Sequence, residues 1–214
     1  MGQVRWYQRP RADRTYVIAL DPSLGTGGDP AAIQVFEATT TEQVAEWRHN
    51  RTTIPEQIRI LTEICAHLNE TVKDPQRIYY SIENNTIGEA ALISIAEYGE
   101  ERIQGYFLSE SGKNRKGFNT SNKPKLAACA KFKHLIESRR MTISSASLIS
   151  EMKNFVAHGV GYAAKPGETD DLIMATLLVV RMLQVLQSYH GELDTQMRDH
   201  QDSIIPPLPF VMTM

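Results

Sequence analysis

Three acidic positions in this chain stand where apolar segments break off. Asp21 closes the run Tyr16-Val-Ile-Ala-Leu20, Glu83 closes Ile78-Tyr-Tyr-Ser-Ile82, and the pair Asp170-Asp171 opens an apolar stretch over 172–186. An ionised carboxylate beside an apolar core is costly unless a cation offsets it, and converging carboxylates repel one another and raise their pKa values. A divalent cation answers both problems. Donor sets made only of oxygen suit magnesium or manganese, and such ions promote hydrolysis of phosphodiester bonds. Each acid also has an ordinary structural reading. Asp21-Pro22 and Glu83-Asn84-Asn85 could start turns, and acids in the first turn of a helix complement its dipole. Together, however, they describe two carboxylates at strand ends and a third at the start of a long helix.

The elements that must position these acids follow from the apolar pattern. Residues 16–21 read as a short central strand, followed by the turn-rich 22–28. Residues 31–37 and 43–48 read as two strands of an antiparallel meander, and 54–72 carries Ile58, Leu61, Cys65 and Leu68 at helical spacing. A second strong strand over 77–83 and a helix over 87–98 complete a βαβ-type unit. If the strands ending at Asp21 and Glu83 are parallel neighbours, their carboxylates meet at the carboxyl edge of the sheet, where ligands gather in open α/β folds. A short strand is expected over 104–108, a helix over 124–137, and a helix or hairpin region over 147–155 and 159–164. The spacing predicts a helix over 169–189 with Thr169 as its N-cap. Residues 1–14 read as an extended lead-in or linker remnant and 191–214 as an irregular tail.

At 214 residues the chain is long enough for one substantial α/β domain. No stretch approaches the roughly 18–20 uncharged apolar residues of a membrane span, and no apolar secretory core follows the basic N-terminus, so a cytoplasmic protein is expected. Cys65 and Cys129 lack the spacing of a zinc site and are expected as free thiols. A net charge of −2 says little about partners, but its distribution says more. Between Arg102 and Arg140 basic residues far outnumber Glu110 and Glu137. A basic segment facing an acidic metal site suits a polyanionic substrate; a solvated loop and helix face is the alternative.

Four segments carry a family resemblance: Ala19-Leu-Asp-Pro-Ser-Leu-Gly-Thr-Gly-Gly-Asp29, Ser81-Ile-Glu-Asn-Asn-Thr-Ile-Gly88, Gly117-Phe-Asn-Thr-Ser-Asn-Lys-Pro-Lys125 and Asp170-Asp-Leu-Ile-Met-Ala175. In this order and spacing they resemble the nuclease domain of large terminase subunits of tailed bacteriophages, the T-even-like group in particular, over residues 15–190. The resemblance implies an α/β, ribonuclease-H-like fold: a mixed sheet of about five main strands flanked by helices, with an extra hairpin or loop region. It also implies an endonuclease that cuts concatemeric double-stranded DNA during genome packaging in the host cytoplasm. Its partners would be a motor ATPase domain, the portal and the small terminase subunit. No Gly-x-x-x-x-Gly-Lys-Ser/Thr phosphate loop occurs in the sequence, so packaging ATP hydrolysis is not expected of this chain.

The resemblance further implies hydrolysis assisted by two Mg2+ or Mn2+ ions, which in such sites lie about 3.5–4 Å apart. The first acid matches Asp21, the second Glu83, and the third falls within Asp170-Asp171. Asp170 is narrowly favoured on spacing, with Asp171 as an alternate ligand, and Asp29 could assist. Lys113, Arg115, Lys116, Lys123 and Lys125 read as a mobile basic loop that contacts DNA phosphates. His158 and Lys165 precede the third acid and could approach the site, although Gly159 and Gly161 place His158 in a hairpin turn. Two other readings share the scaffold: a RuvC-type junction resolvase, and a non-catalytic DNA- or portal-docking module.

Overall fold

A computed structural model of the chain describes residues 2–110, 115–119, 121–159 and 161–189. Its strands are β1 (Arg5–Trp6), β2 (Tyr16–Asp21), β3 (Ala31–Glu37), β4 (Gln43–His49), β5 (Ile78–Ile82), β6 (Tyr106–Phe107), β7 (Phe155–His158) and β8 (Gly161–Ala164). The helices are α1 (Ile54–Val72), α2 (Thr86–Tyr98), α3 (Asn122–Glu137), α4 (Ala146–Asn154) and α5 (Asp171–Tyr189). The first six strands form one mixed sheet in the order β1-β4-β3-β2-β5-β6, and β7 pairs with β8 in a separate hairpin. β1 to β4 pair antiparallel, whereas β5 lies parallel to β2, and β6 parallel to β5.

Successive strand residues point to opposite faces of a sheet, and that rule divides the core in two. Tyr16, Ile18 and Leu20 of β2 join Ile78, Tyr80 and Ile82 of β5 in a cluster covered by Ile58, Leu61 and Leu68 of α1 and Ala91 and Ile95 of α2. Val17 and Ala19 point the other way, into a cluster with Leu172, Val179 and Leu183 of α5 and Phe132 of α3. Continuing the alternation places Asp21 and Glu83 on the face covered by α5. The window Asp171–Ser188 of α5 has a mean hydropathy of 1.4, long and apolar enough to cross a membrane, yet 72% of it is buried inside the protein. It is the core helix of the second layer, packed across β2 and β3.

Several expectations change at the edges of elements. The sheet has six strands rather than five because Arg5–Trp6, expected only as a lead-in, pairs with Glu46 and Ala45. The strand expected over 104–108 is reduced to Tyr106–Phe107, which pairs with Tyr79 and Tyr80. The uncertain region resolves into α4 followed by the β7–β8 hairpin. Helix α5 begins at Asp171, and Thr169 does not cap it: its hydroxyl donates to Glu151 Oε1 at 3.2 Å. Cys65 is buried on α1 and Cys129 half-buried on α3, both as free thiols in opposite layers. The expected tail over 191–214 lies outside the described residues.

A buried amide ties the sheet to α4. The Gln43 Oε1 atom accepts from the N–H groups of Ser144 and Ser145 at 2.9 and 2.8 Å, and its Nε2 donates to Gln34 Oε1 at 2.8 Å. Ser145 in turn caps α4 by accepting from Leu148 N–H. Gln43→Leu keeps the volume but orphans two buried groups, the Ser145 N–H and Gln34 Oε1, at about 1–3 kcal/mol each. We expect urea unfolding to report a loss of about 2–6 kcal/mol with an unchanged denaturant slope.

Candidate active site

The two strand-end acids meet because β2 and β5 are parallel and in register. Leu20 is paired with Ile82, and the ladder continues one step further, with Glu83 N–H donating to Leu20 O at 3.0 Å. Asp21 and Glu83 are therefore neighbours, close enough for their carboxyl groups to share a hydrogen bond. The Asp21 carboxyl is held well above its ordinary value, first by burial, then by the charge of Glu83 and their shared hydrogen bond, then by the charges of Asp171 and Asp170. Like charges that cannot all ionise together retain a proton.

Glu83 is buried and fixed by its neighbours in sequence. Asn85 donates from Nδ2 to Glu83 Oε2 at 3.2 Å, while its Oδ1 accepts from Ile87 and Gly88 N–H and so caps α2. The Asn84-Asn85 pair forms no turn: Asn84 N–H donates to Phe118 O at 2.8 Å and extends the ladder, and Asn85 caps α2 while it orients the acid. Gly88 permits a close approach: a Cβ there would lie 1.8 Å from Glu83 O. Gly117 has φ +81°, and its Cβ would lie 2.6 Å from Ile82 O. No side chain fits either place without moving the strand end.

The third acidic position stands at the start of α5. The first helical turn closes on Asp170, whose carbonyl accepts from Met174 N–H at 2.8 Å. Asp170 Oδ2 accepts from Ala164 N–H at a long 3.4 Å. Asp171 is buried at 8% exposure, and its Oδ2 has no hydrogen-bond partner among the described residues. Its carboxyl is pushed up to about 7 by burial and then by the charge of Glu151, with Asp170 adding to the effect.

All of these donors are oxygens, and a buried carboxylate oxygen without a partner is what a hard cation would satisfy, so the residues fit a divalent ion. Among the described residues, no three His, Cys, Asp or Glu side chains are gathered tightly enough to ligate one ion as they stand. Direct contact is made by Asp21 with Glu83, while Asp170 and Asp171 act on Asp21 through their charge.

The other expected residues are distributed around this edge. Asp29 is exposed in the turn before β3 and has no hydrogen bond or ion pair among the described residues. Phe118 bridges to Glu83 in parallel, so the segment 115–119 comes to the same edge as the acids. Arg115 pairs with Glu89 at 3.5 Å, and Lys116 pairs with Glu100 and lies over the Phe107 ring. Lys123 is exposed in the first turn of α3, and Lys125 lies 5.7 Å from the Phe155 ring centroid. Lys113 lies outside the described residues. His158 is exposed beside the turn of the β7–β8 hairpin, and Lys165 donates to Asn154 Oδ1.

Sequence reasoning missed two half-buried ion pairs. Arg181 of α5 pairs with Glu110 at 3.1 Å, donates to Asn119 O at 2.9 Å and lies under the Phe118 ring, so it anchors the segment that reaches Glu83. Its signal was a lone charge inside the apolar stretch 172–186. Glu151 pairs with Arg48 at 2.6 Å; its signal was an acid three positions after the buried Leu148 on α4.

The model for the terminase RNaseH-like domain matches residues 18–183. The chain belongs to this terminase family. Three solved structures show how far the likeness of this terminase domain extends. The large terminase nuclease from thermophilic phage G20c with bound magnesium shares 18% identity, covers 84% of this chain and 87% of its own, and superposes with a TM-score of 0.65. The same nuclease with bound cobalt gives 17%, 84%, 87% and 0.65. The Thermus phage P74-26 large terminase nuclease domain gives 18%, 83%, 84% and 0.61. At these identities the likeness is one of fold, and the terminase domain described here has the expected ribonuclease-H-like architecture.

The raised Asp171 value sets the sign of a pH effect in metal-free protein. A folded value near 7 against 3.8 for the free side chain means that the native state holds a proton the unfolded chain has released. Over that window stability falls as pH rises. In chelator at pH about 8, Asp171→Asn should melt above wild type, and the gap should close as pH falls through 7 toward about 4 in calorimetric scans.

Proposed function

We propose that this chain is a metal-dependent endonuclease that cuts double-stranded DNA during viral genome packaging, with little sequence preference. The observation that carries this reading is the meeting of Asp21 and Glu83, from parallel neighbouring strands, on the face where α5 brings in Asp170 and Asp171. Membership of the terminase family supports it, as do related nuclease structures with bound magnesium or cobalt.

Asp21 and Glu83 together with the Asp170-Asp171 pair would hold two Mg2+ or Mn2+ ions. Of that pair, Asp171 has the orphaned oxygen and the stronger effect on Asp21, which reverses the order expected from spacing. Bound there, the ions would lower the pKa of the attacking water and stabilise the charge on the leaving 3′ oxygen. The chain's own residues then bind and orient. Arg115, Lys116, Lys123 and Lys125, with Lys113, take backbone phosphates, which positions a duplex without reading its bases. Asp29, at the same edge, is available to assist. Arg181 holds the segment 115–119 against α5, so that phosphate contacts and acids keep a fixed relation. A motor ATPase domain, the portal and the small terminase subunit would be its partners in the host cytoplasm.

Plasmid nicking tests the chemistry. Wild type should nick supercoiled DNA with magnesium or manganese and stop in chelator, and Asp21→Asn and Glu83→Gln should each lose at least about a hundredfold in rate, equal to roughly 2.7 kcal/mol of barrier. Metal-independent nicking, or full activity in both variants, would falsify the mechanism; strong preference for four-way junctions over linear duplex would favour the resolvase reading. Lys123→Ala with Lys125→Ala should weaken duplex binding alike across sequences and reduce the log-affinity slope against log-salt by about 1–2, measured by fluorescence anisotropy.

A further inference from the structure

The first turn of α5 carries two acids proposed to hold metal, and this creates a conflict. The residue that precedes a helix usually satisfies one of the first free N–H groups with its own side chain. Asp170 occupies that place, since its carbonyl accepts the first helical bond from Met174. If its carboxylate capped α5, it would turn toward the helix axis and away from the acids of the sheet. The structure resolves the conflict with a carboxylate from another helix. Glu151 Oε2 accepts from Ile173 N–H at 3.1 Å, the donor that Asp170 would ordinarily satisfy.

The other oxygen of Glu151 is also fully engaged. Its Oε1 accepts from Arg48 Nη1 at 2.6 Å and from the Thr169 hydroxyl at 3.2 Å. Arg48 also donates to that hydroxyl at 3.2 Å. Glu151 is 5% exposed, and with each oxygen bonded it is a poor candidate for a further metal ligand. The four residues form a closed cluster joining the end of β4, the middle of α4 and the approach to α5. It lies on the sequence side of Asp170 through Thr169 and on the helix side through Ile173, so it brackets both acids.

We propose that Glu151, held by Arg48, caps α5 from outside and so frees and aims the Asp170 and Asp171 carboxylates for metal. Glu151 is a positioning residue: it acts through the backbone of α5 and touches neither metal nor DNA. The role rests on the metal reading of the acids given above. Groups that orient metal ligands typically change metal affinity by about ten- to a hundredfold when removed.

Titration calorimetry with Mn2+ alone tests this on purified protein whose fold is checked by a cooperative melt. Glu151→Ala should bind Mn2+ about ten- to a hundredfold more weakly than wild type, Arg48→Ala should shift in the same direction, and Glu151→Gln, which keeps an acceptor, should recover part of the loss. Hydrogen exchange should show faster exchange at Ile173 in Glu151→Ala. If Glu151→Ala does not fold, the Glu151→Gln and Arg48→Ala affinities decide. Wild-type Mn2+ affinity in folded Glu151→Gln and Arg48→Ala, with Asp21→Asn having lost the metal, overturns the positioning role alone. Wild-type affinity in Asp21→Asn removes the metal site itself, and the inference with it.

Discussion

The parallel, in-register pairing of β2 with β5 is the constraint on which the rest depends. It forces two carboxylates onto one edge and one face, where burial and mutual repulsion raise the Asp21 carboxyl well above its ordinary value. A fold selected for stability alone would place apolar or amide side chains there. Neighbouring features reduce the cost without removing the charges. Asn85 donates to Glu83, Arg181 places a cation within its electrostatic reach, and the N-terminal end of α5 presents its positive pole to Asp170 and Asp171. Natural proteins depart from local stability rules chiefly where function demands it.

The support for this edge is built in layers. Gln43 fixes the start of α4 against the sheet, α4 carries Glu151, and Glu151 holds the first turn of α5. On the other side Arg181 connects α5 to the strand extension that runs beside Glu83. These connections are polar and mostly buried, so they specify geometry more sharply than apolar packing does. The apolar clusters above and below the sheet supply the bulk of the stability, and the polar links decide where the carboxylates point.

Much of this was legible in the sequence, for definite reasons. The runs ending in Asp21 and Glu83 are apolar on both faces because helices cover both, which is how a central strand announces itself. The single helix α1 between β4 and β5 made a parallel return the expectation, and the meeting of the two acids followed once β2 and β5 were neighbours, as their pairing makes them. Arg5–Trp6 escaped notice because a two-residue edge strand has no periodicity; only its pairing with β4 defines it. The start of α5 was misplaced because Thr169 is a good cap by type, whereas its hydroxyl is taken by a residue 18 positions away. Arg48 and Glu151 lie 103 positions apart, and nothing local in either segment names the other. The proposed lead of Asp171 over Asp170 rests on the unpartnered Asp171 Oδ2, which spacing does not reveal.

The pairing of Arg115 with Glu89 and of Lys116 with Glu100 gives the basic loop a property of its own. The loop's counterions are side chains fixed to the neighbouring backbone, Glu89 on α2 and Glu100 in the turn that follows it, in place of ions drawn from solution. Under the proposed function, a duplex arriving at this edge would displace carboxylates that cannot diffuse away, so part of the entropy normally gained by releasing small ions would be absent. That exchange would leave Glu89 and Glu100 beside the DNA, and their repulsion would favour its departure. Under the proposed function, such a surface would hold nucleic acid loosely and give it up easily, as a cutter acting on passing DNA requires.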